Sequence, residues 1–240
     1  MIPIRDANPS STRPVVTIAI VIVNFGIFLY ELSLGPHLDQ FLIRYGLVPS
    51  IVTGAYHVAG MTGADIAARF GTSMFLHGGW LHVIGNMWYL WIFGDNVEDR
   101  LGHVPYLFFY LACGVGSGVI DVWSNPTSTM PTIGASGAIA GVLGAYLITF
   151  PRARIMTLVP IFILPLFINL PAVFVLGAWF VVQLFNGTAA IGHAAQTTGG
   201  VAWWAHIGGF TIGMVLMKLL PRRRRPRPPE WRYGPVVDGP

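Results

Sequence analysis

The chain has 240 residues, of which 54% are hydrophobic and only 10% charged, where an ordinary soluble domain carries about 25% charged residues. With 29 Gly, 18 Pro and a mean hydropathy of +0.63, the composition excludes a soluble globular domain, a disordered chain, a collagen and a coiled coil. It fits a protein that crosses a membrane several times, where Gly and Pro are tolerated within spanning helices. The net charge is +4, and the lone Cys113 excludes an intrachain disulfide framework and a Cys-based zinc cluster.

A hydrocarbon core of about 30 Å needs about 20 apolar helical residues per crossing, and six such runs are predicted in chain order. Residues 1–13 are expected to be a cytoplasmic tail. The first run, 14–33 (PVVTIAIVIVNFGIFLYELS), follows Arg5 and Arg13 but precedes no small-residue cleavage site, so it reads as an anchor and not as a signal peptide. The long connection at 34–76, with GLVPSIV and GADIAARF, predicts short helices at the outer surface that cover the mouth of the bundle. The second, third and fourth runs are 77–94, 104–123 and 135–150. The apolar stretch Thr157–Leu170 is interrupted by Pro160 and Pro165 and followed by Pro171, so it is expected to enter the bilayer edge before the fifth helix, predicted at 168–186.

The sixth run is 202–220, and the tail at 221–240 is basic and Pro-rich, which favours a solvated strand near anionic headgroups. The expected fold is therefore an all-α polytopic membrane protein, with one six-helix bundle over 14–220. Lys and Arg concentrate on the cytoplasmic side, and placing the N-terminus inside puts twelve of the fourteen there, leaving only Arg44 and Arg69 outside. Both termini are then expected to be cytoplasmic, in a prokaryotic cell membrane. The positive charge reads as topology, so the lipid bilayer is an expected partner and nucleic acid is not.

Polar side chains inside a span are costly and mark function. In span two, HGGWLHVIGNMWYLWIFG places His82 and Asn86 four residues apart, on one helical face, with His77 at the entrance. Span four opens with PTIGASGAIAG and carries Ser136, and span six opens with VAWWAHIGGF and carries His206. A serine among glycines reads, by itself, as a packing residue. Spans two, four and six all run from outside to inside, however, which puts His82, Asn86, Ser136 and His206 in one layer of the outer half. Gly134, Gly137, Gly141 and Gly144 form a small-residue stripe on span four, and Gly209 and Gly213 share a face of span six with His206. Close packing of those stripes would bring Ser136 Oγ within reach of His206.

A serine hydroxyl becomes a competent nucleophile when an imidazole accepts its proton. No carboxylate lies within a span to orient that imidazole. Asp121, at the outer end of span three, is a weak candidate for the task, so a Ser-His dyad is expected. Asn86, His82 and the unpaired backbone amides of Ser136 and Gly137 can donate to a developing oxyanion. No metal or organic cofactor is implied by these residues.

At these positions the chain resembles the rhomboid family of intramembrane serine proteases, across all six spans. GASGAIAG is similar to the family's serine motif, which implies Ser136 as nucleophile, and AHIGGF to its histidine motif, which implies His206 as general base. His82 and Asn86 match the H-x-x-x-N pair of the oxyanion site, and His77 a further histidine at the entrance. Arg69 and Glu98 fall where the family often has structural residues. Two departures stand out. The family's aromatic four residues after the serine, which stacks on the histidine, is Ala140 here, and the Trp of its Trp-Arg pair is Ala68. A supporting aromatic for His206 would then have to come from elsewhere, with Trp203, Trp204 and Tyr89 as candidates.

The expected activity is endopeptidase cleavage of a peptide bond in or beside a transmembrane segment of another protein. A catalytically silent membrane-client binding protein is the alternative, although a pure binder needs none of the four polar residues. A transporter would show repeated halves or polar residues at the midplane, and neither is found in the sequence.

Overall fold

The computed structural model describes residues 1–161, 164–189, 202–221 and 223. Strand β1 (Ile2–Asp6) leads into helix α1 (Val15–Ser33), followed by the short helices α2 (Leu38–Tyr45), α3 (Pro49–Val52) and α4 (Gly63–Thr72). Helices α5 (Trp80–Leu101), α6 (His103–Ser124) and α7 (Ser136–Thr149) come next, then strands β2 (Arg154–Ile161) and β3 (Leu164–Pro171), and helices α8 (Ala172–Ala189) and α9 (Trp203–Leu219). Each of the six predicted apolar runs coincides with a helix. By length and composition alone, α1, α6 and α8 are long and apolar enough to cross a membrane, and α7 is a shorter apolar helix.

The bundle exposes large apolar side chains and buries polar ones within a mainly apolar core. Leu81, Phe108, Trp123 and Phe185 are exposed, while Thr17, Asn24, Asn96, Ser117 and Gln183 are buried. That inversion is what a lipid solvent requires and water would not tolerate. Helix α7 lies at the centre: every residue from Gly137 to Tyr146 is buried, and its neighbours are α5, α6, α8 and α9, with α9 the most extensive contact. A helix apolar on all sides is either enclosed by protein or in contact with lipid, and α7 is enclosed.

Helices α5 and α6 meet at a single residue, Gly102, whose φ of +87° only glycine adopts freely. Helix α1 begins after Pro14 with no side-chain cap of its own. Its first amides are satisfied from α5 instead: Val16 N–H and Thr17 N–H donate to the Glu98 carboxylate at 2.9 and 2.8 Å, and Thr17 Oγ1–H at 2.7 Å. A negative group at a helix N-terminus is favourable both as acceptor and for the helix dipole. Glu98 is fully buried, so removing it would orphan several donors at once.

The expectation of an all-α fold is corrected by a three-stranded antiparallel sheet in the order β1-β2-β3. Strand β3 occupies 164–171, so the fifth helix starts at Ala172 and not at 168. The prolines that break a helix there are accommodated as a cross-strand pair, Pro160 opposite Pro165, in a hairpin whose third strand comes from the N-terminus. Residues 1–13, expected to be a tail, are accordingly docked. Trp88 Nε1–H donates to Pro3 O at 2.7 Å, Tyr146 Oη–H to Asp6 at 2.6 Å, and Ser11 and Thr12 hydroxyls to Asp99 at 2.6 and 2.8 Å. Burial raises the Asp6 carboxyl to about pKa 6; the Tyr146 hydrogen bond opposes the shift and Asp95 adds to it. The tail expected at 221–240 lies outside the described residues, apart from Pro221 and Arg223.

The connection at 34–76 folds as short helices. Arg69 is only 2% exposed, and its Nη1 donates to the carbonyls of Ile43 and Gly46, both at 2.9 Å. One guanidinium thus closes the loop on itself. Leu47 and Thr132 exchange backbone hydrogen bonds of 3.0 and 2.7 Å, joining this connection to the segment that precedes α7.

Candidate active site

A cavity of about 870 Å³ opens at the N-terminal ends of α5, α7 and α9, and is lined among others by His82, Asn86, Ser136, Gly137, Trp179 and His206. Helix α7 starts at Ser136 and its first hydrogen bond is from Ile139 N–H to Ala135 O at 3.0 Å. The amides of residues 136–138 precede it, at the positive end of the helix dipole. His206 is the fourth residue of α9, one turn inside its own N-terminus.

His206 Nε2 stands 2.8 Å from Ser136 Oγ. Close approach of α7 and α9 makes this contact possible: a Cβ at Gly209 would run into the carbonyl of Gly137, and one at Gly213 into the backbone of Gly141. Gly209 and Gly213 of α9 thus pack onto the backbone of α7, and Gly144 of α7 faces the backbone of Phe210 in return, whereas Gly137 and Gly141 turn chiefly to Ser117 and Cys113 of α6 and Gly134 to His82 of α5. Ser117 Oγ–H adds a 2.9 Å bond from α6 to Ala205 O, beside the histidine.

The other imidazole nitrogen, Nδ1, lies 2.8 Å from Gln183 Oε1 on α8. An amide oxygen only accepts, so this contact suits a proton on Nδ1, which leaves the Nε2 lone pair for the Ser136 hydroxyl. The indole of Trp179, also on α8, packs against the imidazole in a tilted contact, with centroids 5.9 Å apart and planes at 36°, and Trp203 meets it edge-on at 6.4 Å. Ala140 is fully buried. An aromatic contact to His206 thus comes from α8 and not from position 140.

Asn86 and His82 flank the same cavity from α5. Asn86 Nδ2 is buried and has no hydrogen-bond partner among the described residues, a state that folded proteins rarely leave without use. Gly134, with φ +113°, passes so close that a Cβ there would stand 2.5 Å from His82 Nε2 and 3.4 Å from Asn86 Nδ2. His77 is buried beside His82, with ring centroids 5.0 Å apart, and is absent from the cavity lining; its backbone N–H donates to Glu31 at 3.2 Å. Asp121 accepts a 2.6 Å bond from Thr132 Oγ1, which ties down the segment ahead of Ser136. Gln183, not this carboxylate, is the group on Nδ1.

Gln183 and Trp179 escaped the sequence reading. The signal for Gln183 was present, as a strongly polar side chain within AVFVLGAWFVVQLFNG, but a search centred on ionisable groups passes over an amide. Trp179 carries no such mark, since an aromatic in a membrane helix is ordinary.

Among proteins of known family, the Rhomboid domain model matches residues 65–223 of this chain. Similar curated proteins include Rhomboid protein 1, mitochondrial, of Saccharomyces cerevisiae, 29% identical over 147 residues, which cover 60% of this chain and 39% of that protein. Rhomboid-like protein 11, chloroplastic, of Arabidopsis thaliana is 29% identical over 152 residues, 63% of this chain and 52% of that one. The human presenilin-associated rhomboid-like protein, mitochondrial, is 31% identical over 150 residues, 59% of this chain and 35% of that one. The chain spans about half or less of the length of these relatives.

Proposed function

The chain belongs to the rhomboid family, and from that premise we propose that it is an intramembrane serine endopeptidase working through Ser136 and His206. The observation that carries the reading is the 2.8 Å contact of Ser136 Oγ with Nε2 of His206. Ser136 Oγ attacks the carbonyl carbon of a peptide bond in or beside a transmembrane segment, and its proton passes to Nε2. The oxyanion so formed is held by the amides of Ser136 and Gly137 and by Asn86 and His82. As the tetrahedral intermediate collapses, the C–N bond breaks and the Nε2 proton goes to the departing amine. Water, deprotonated by the same Nε2, then attacks the acyl-enzyme, and the second collapse releases the carboxylic acid and returns the proton to Ser136. Neither half of the cycle needs a metal or an organic cofactor.

In this reading all six long helices cross the bilayer, with both termini on the cytoplasmic side, and the cavity opens toward the opposite face. Relatives whose names place them in mitochondria and chloroplasts give no support to a prokaryotic cell membrane, so the location proposed is a membrane and no particular one. Substrates are transmembrane-helix proteins. The test is labelling of the purified protein by a serine-reactive fluorophosphonate, alongside cleavage of a reconstituted transmembrane substrate. Both are expected in the wild type and neither in Ser136→Ala. A labelled Ser136→Ala protein, or cleavage above a few per cent, would remove Ser136 from the role of nucleophile. Binding of clients with neither labelling nor cleavage in the wild type would identify a silent membrane-client binder.

A further inference from the structure

A general base that must take a proton at one particular nitrogen has two ways to fail. Its ring can rotate away from the nucleophile, or its proton can sit on the wrong nitrogen. In most Ser-His catalysts a carboxylate answers both, but a buried carboxylate within a bilayer carries a heavy desolvation cost. Among the described residues, the group facing Nδ1 of His206 is the neutral amide of Gln183, 2.8 Å away and only 5% exposed. Trp179 lies four residues earlier on the same helix, hence on the same face, and packs against the ring in a tilted contact. Trp179 also stacks on Phe210, one turn beyond His206 on α9, with centroids 5.9 Å apart.

We propose that α8 positions the base, with Gln183 selecting the Nδ1–H tautomer of His206 and fixing the plane of its ring, and Trp179 restraining it by packing against it. The inference rests on the proteolytic reading for its purpose but not for its geometry. The amide oxygen accepts from Nδ1–H both in the neutral imidazole and in the imidazolium formed after Ser136 gives up its proton, so it serves unchanged through both halves of the cycle. If the amide were turned, its NH₂ would face Nδ1 and force the proton onto Nε2, where it blocks deprotonation of Ser136. Gln183 is a positioning residue: it touches His206 and no reacting atom.

Three measurements on the full chain in bicelles test this. The ¹⁵N resonances of the His206 imidazole report the tautomer directly, and the wild type is expected to show a protonated Nδ1 and a pyridine-type Nε2, with Gln183→Met showing a mixture. Gln183→Met, similar in length but without an acceptor, is expected to lower kcat by about 10–10²-fold with KM within about twofold, a split that marks lost alignment and not lost binding. Gln183→Glu restores an acceptor and adds a charge, so the acidic limb of kcat/KM is expected to move about one pH unit or more upward. Among the described residues, His82 on α5 is the other titratable group acting on His206. A wild-type Nε2–H tautomer overturns the proposal. So does a Gln183→Met protein with wild-type tautomer and kcat, or one whose activity falls only in step with its thermal stability while Gln183→Glu leaves the pH profile unmoved. The tautomer is read without turnover: a wild type that neither cleaves nor labels rejects the protease reading, and the resonances still decide the role of Gln183.

Discussion

Substituting Gly209 by Ala adds one methyl group at a point where α7 and α9 meet backbone to backbone. The new Cβ would lie 3.0 Å from the carbonyl carbon of Gly137 and nearer still to its oxygen, where carbon atoms in contact prefer about 3.5–4.0 Å. Both atoms belong to the backbone of a buried helix, so no side chain can turn aside, and α9 must retreat by about 1 Å. Gly209 is three residues beyond His206 and Gly137 is next to Ser136, so the retreat falls on the 2.8 Å Ser136–His206 contact and carries it past hydrogen-bond range. A displacement of about 1 Å in a reacting pair costs about 10²-fold in rate. Initial rates on a reconstituted transmembrane substrate are therefore expected to fall by about that factor, with fluorophosphonate labelling of Ser136 slowed in parallel. The control is Gly26→Ala on α1, where an added Cβ meets nothing within 4 Å, and which is expected to match the wild type. Gly209→Ala with more than half of wild-type activity would show that the Ser136–His206 contact does not depend on the closeness of these two helices.

Asn86→Ala is expected to lower kcat by about 10²–10³-fold with little change in substrate affinity; loss of affinity at normal turnover of bound substrate would instead make Asn86 a binding residue. Ala140→Phe is expected to be slower and less stable, by about 1–3 kcal/mol in a chemical or thermal unfolding series, because the site is fully buried and Trp179 already packs against His206. A faster, equally stable variant would show that the space beneath the imidazole is vacant. For Asp6, the folded-state pKa of about 6 stands above its ordinary value of 3.8, so its ionisation works against the folded state. Its contribution is fully present below about pH 4 and is lost as the pH rises through about 6. The melting temperature of the wild type relative to Asp6→Asn is expected to fall over that interval, and a difference that stays constant from pH 4 to 7 would refute the assignment.

Much of this protein was legible in one dimension. The helices announced themselves because a bilayer imposes a single long apolar run per crossing, and every backbone group must be satisfied within its own segment. Ser136, His206, His82 and Asn86, which the fold brings to one cavity, stood out for the converse reason, since a polar side chain in such a run has no cheap explanation. The meeting of α7 and α9 could be read in part, from Gly144, Gly209 and Gly213, each of which admits the backbone of the other helix, while Gly137 and Gly141 make room chiefly for side chains of α6.

What the sequence did not disclose are the features that depend on partners distant in the chain. Strand β1 is an unremarkable IPIRD until β2, some 150 residues later, supplies its hydrogen bonds; the hairpin at 154–171 has no Asn-Gly or Gly turn to signal it, and its prolines argue against a strand. The cap on α1 comes from Glu98, on another helix. The orientation of His206 was decided in the same way. Helical periodicity says which residues share a face of one helix, but not which way that face points. Only the packing of α8 against α9 sets Gln183 against Nδ1 and Trp179 against the ring, placing the restraint that one turn of α7 lacks at Ala140 on a helix more than thirty residues further along the chain.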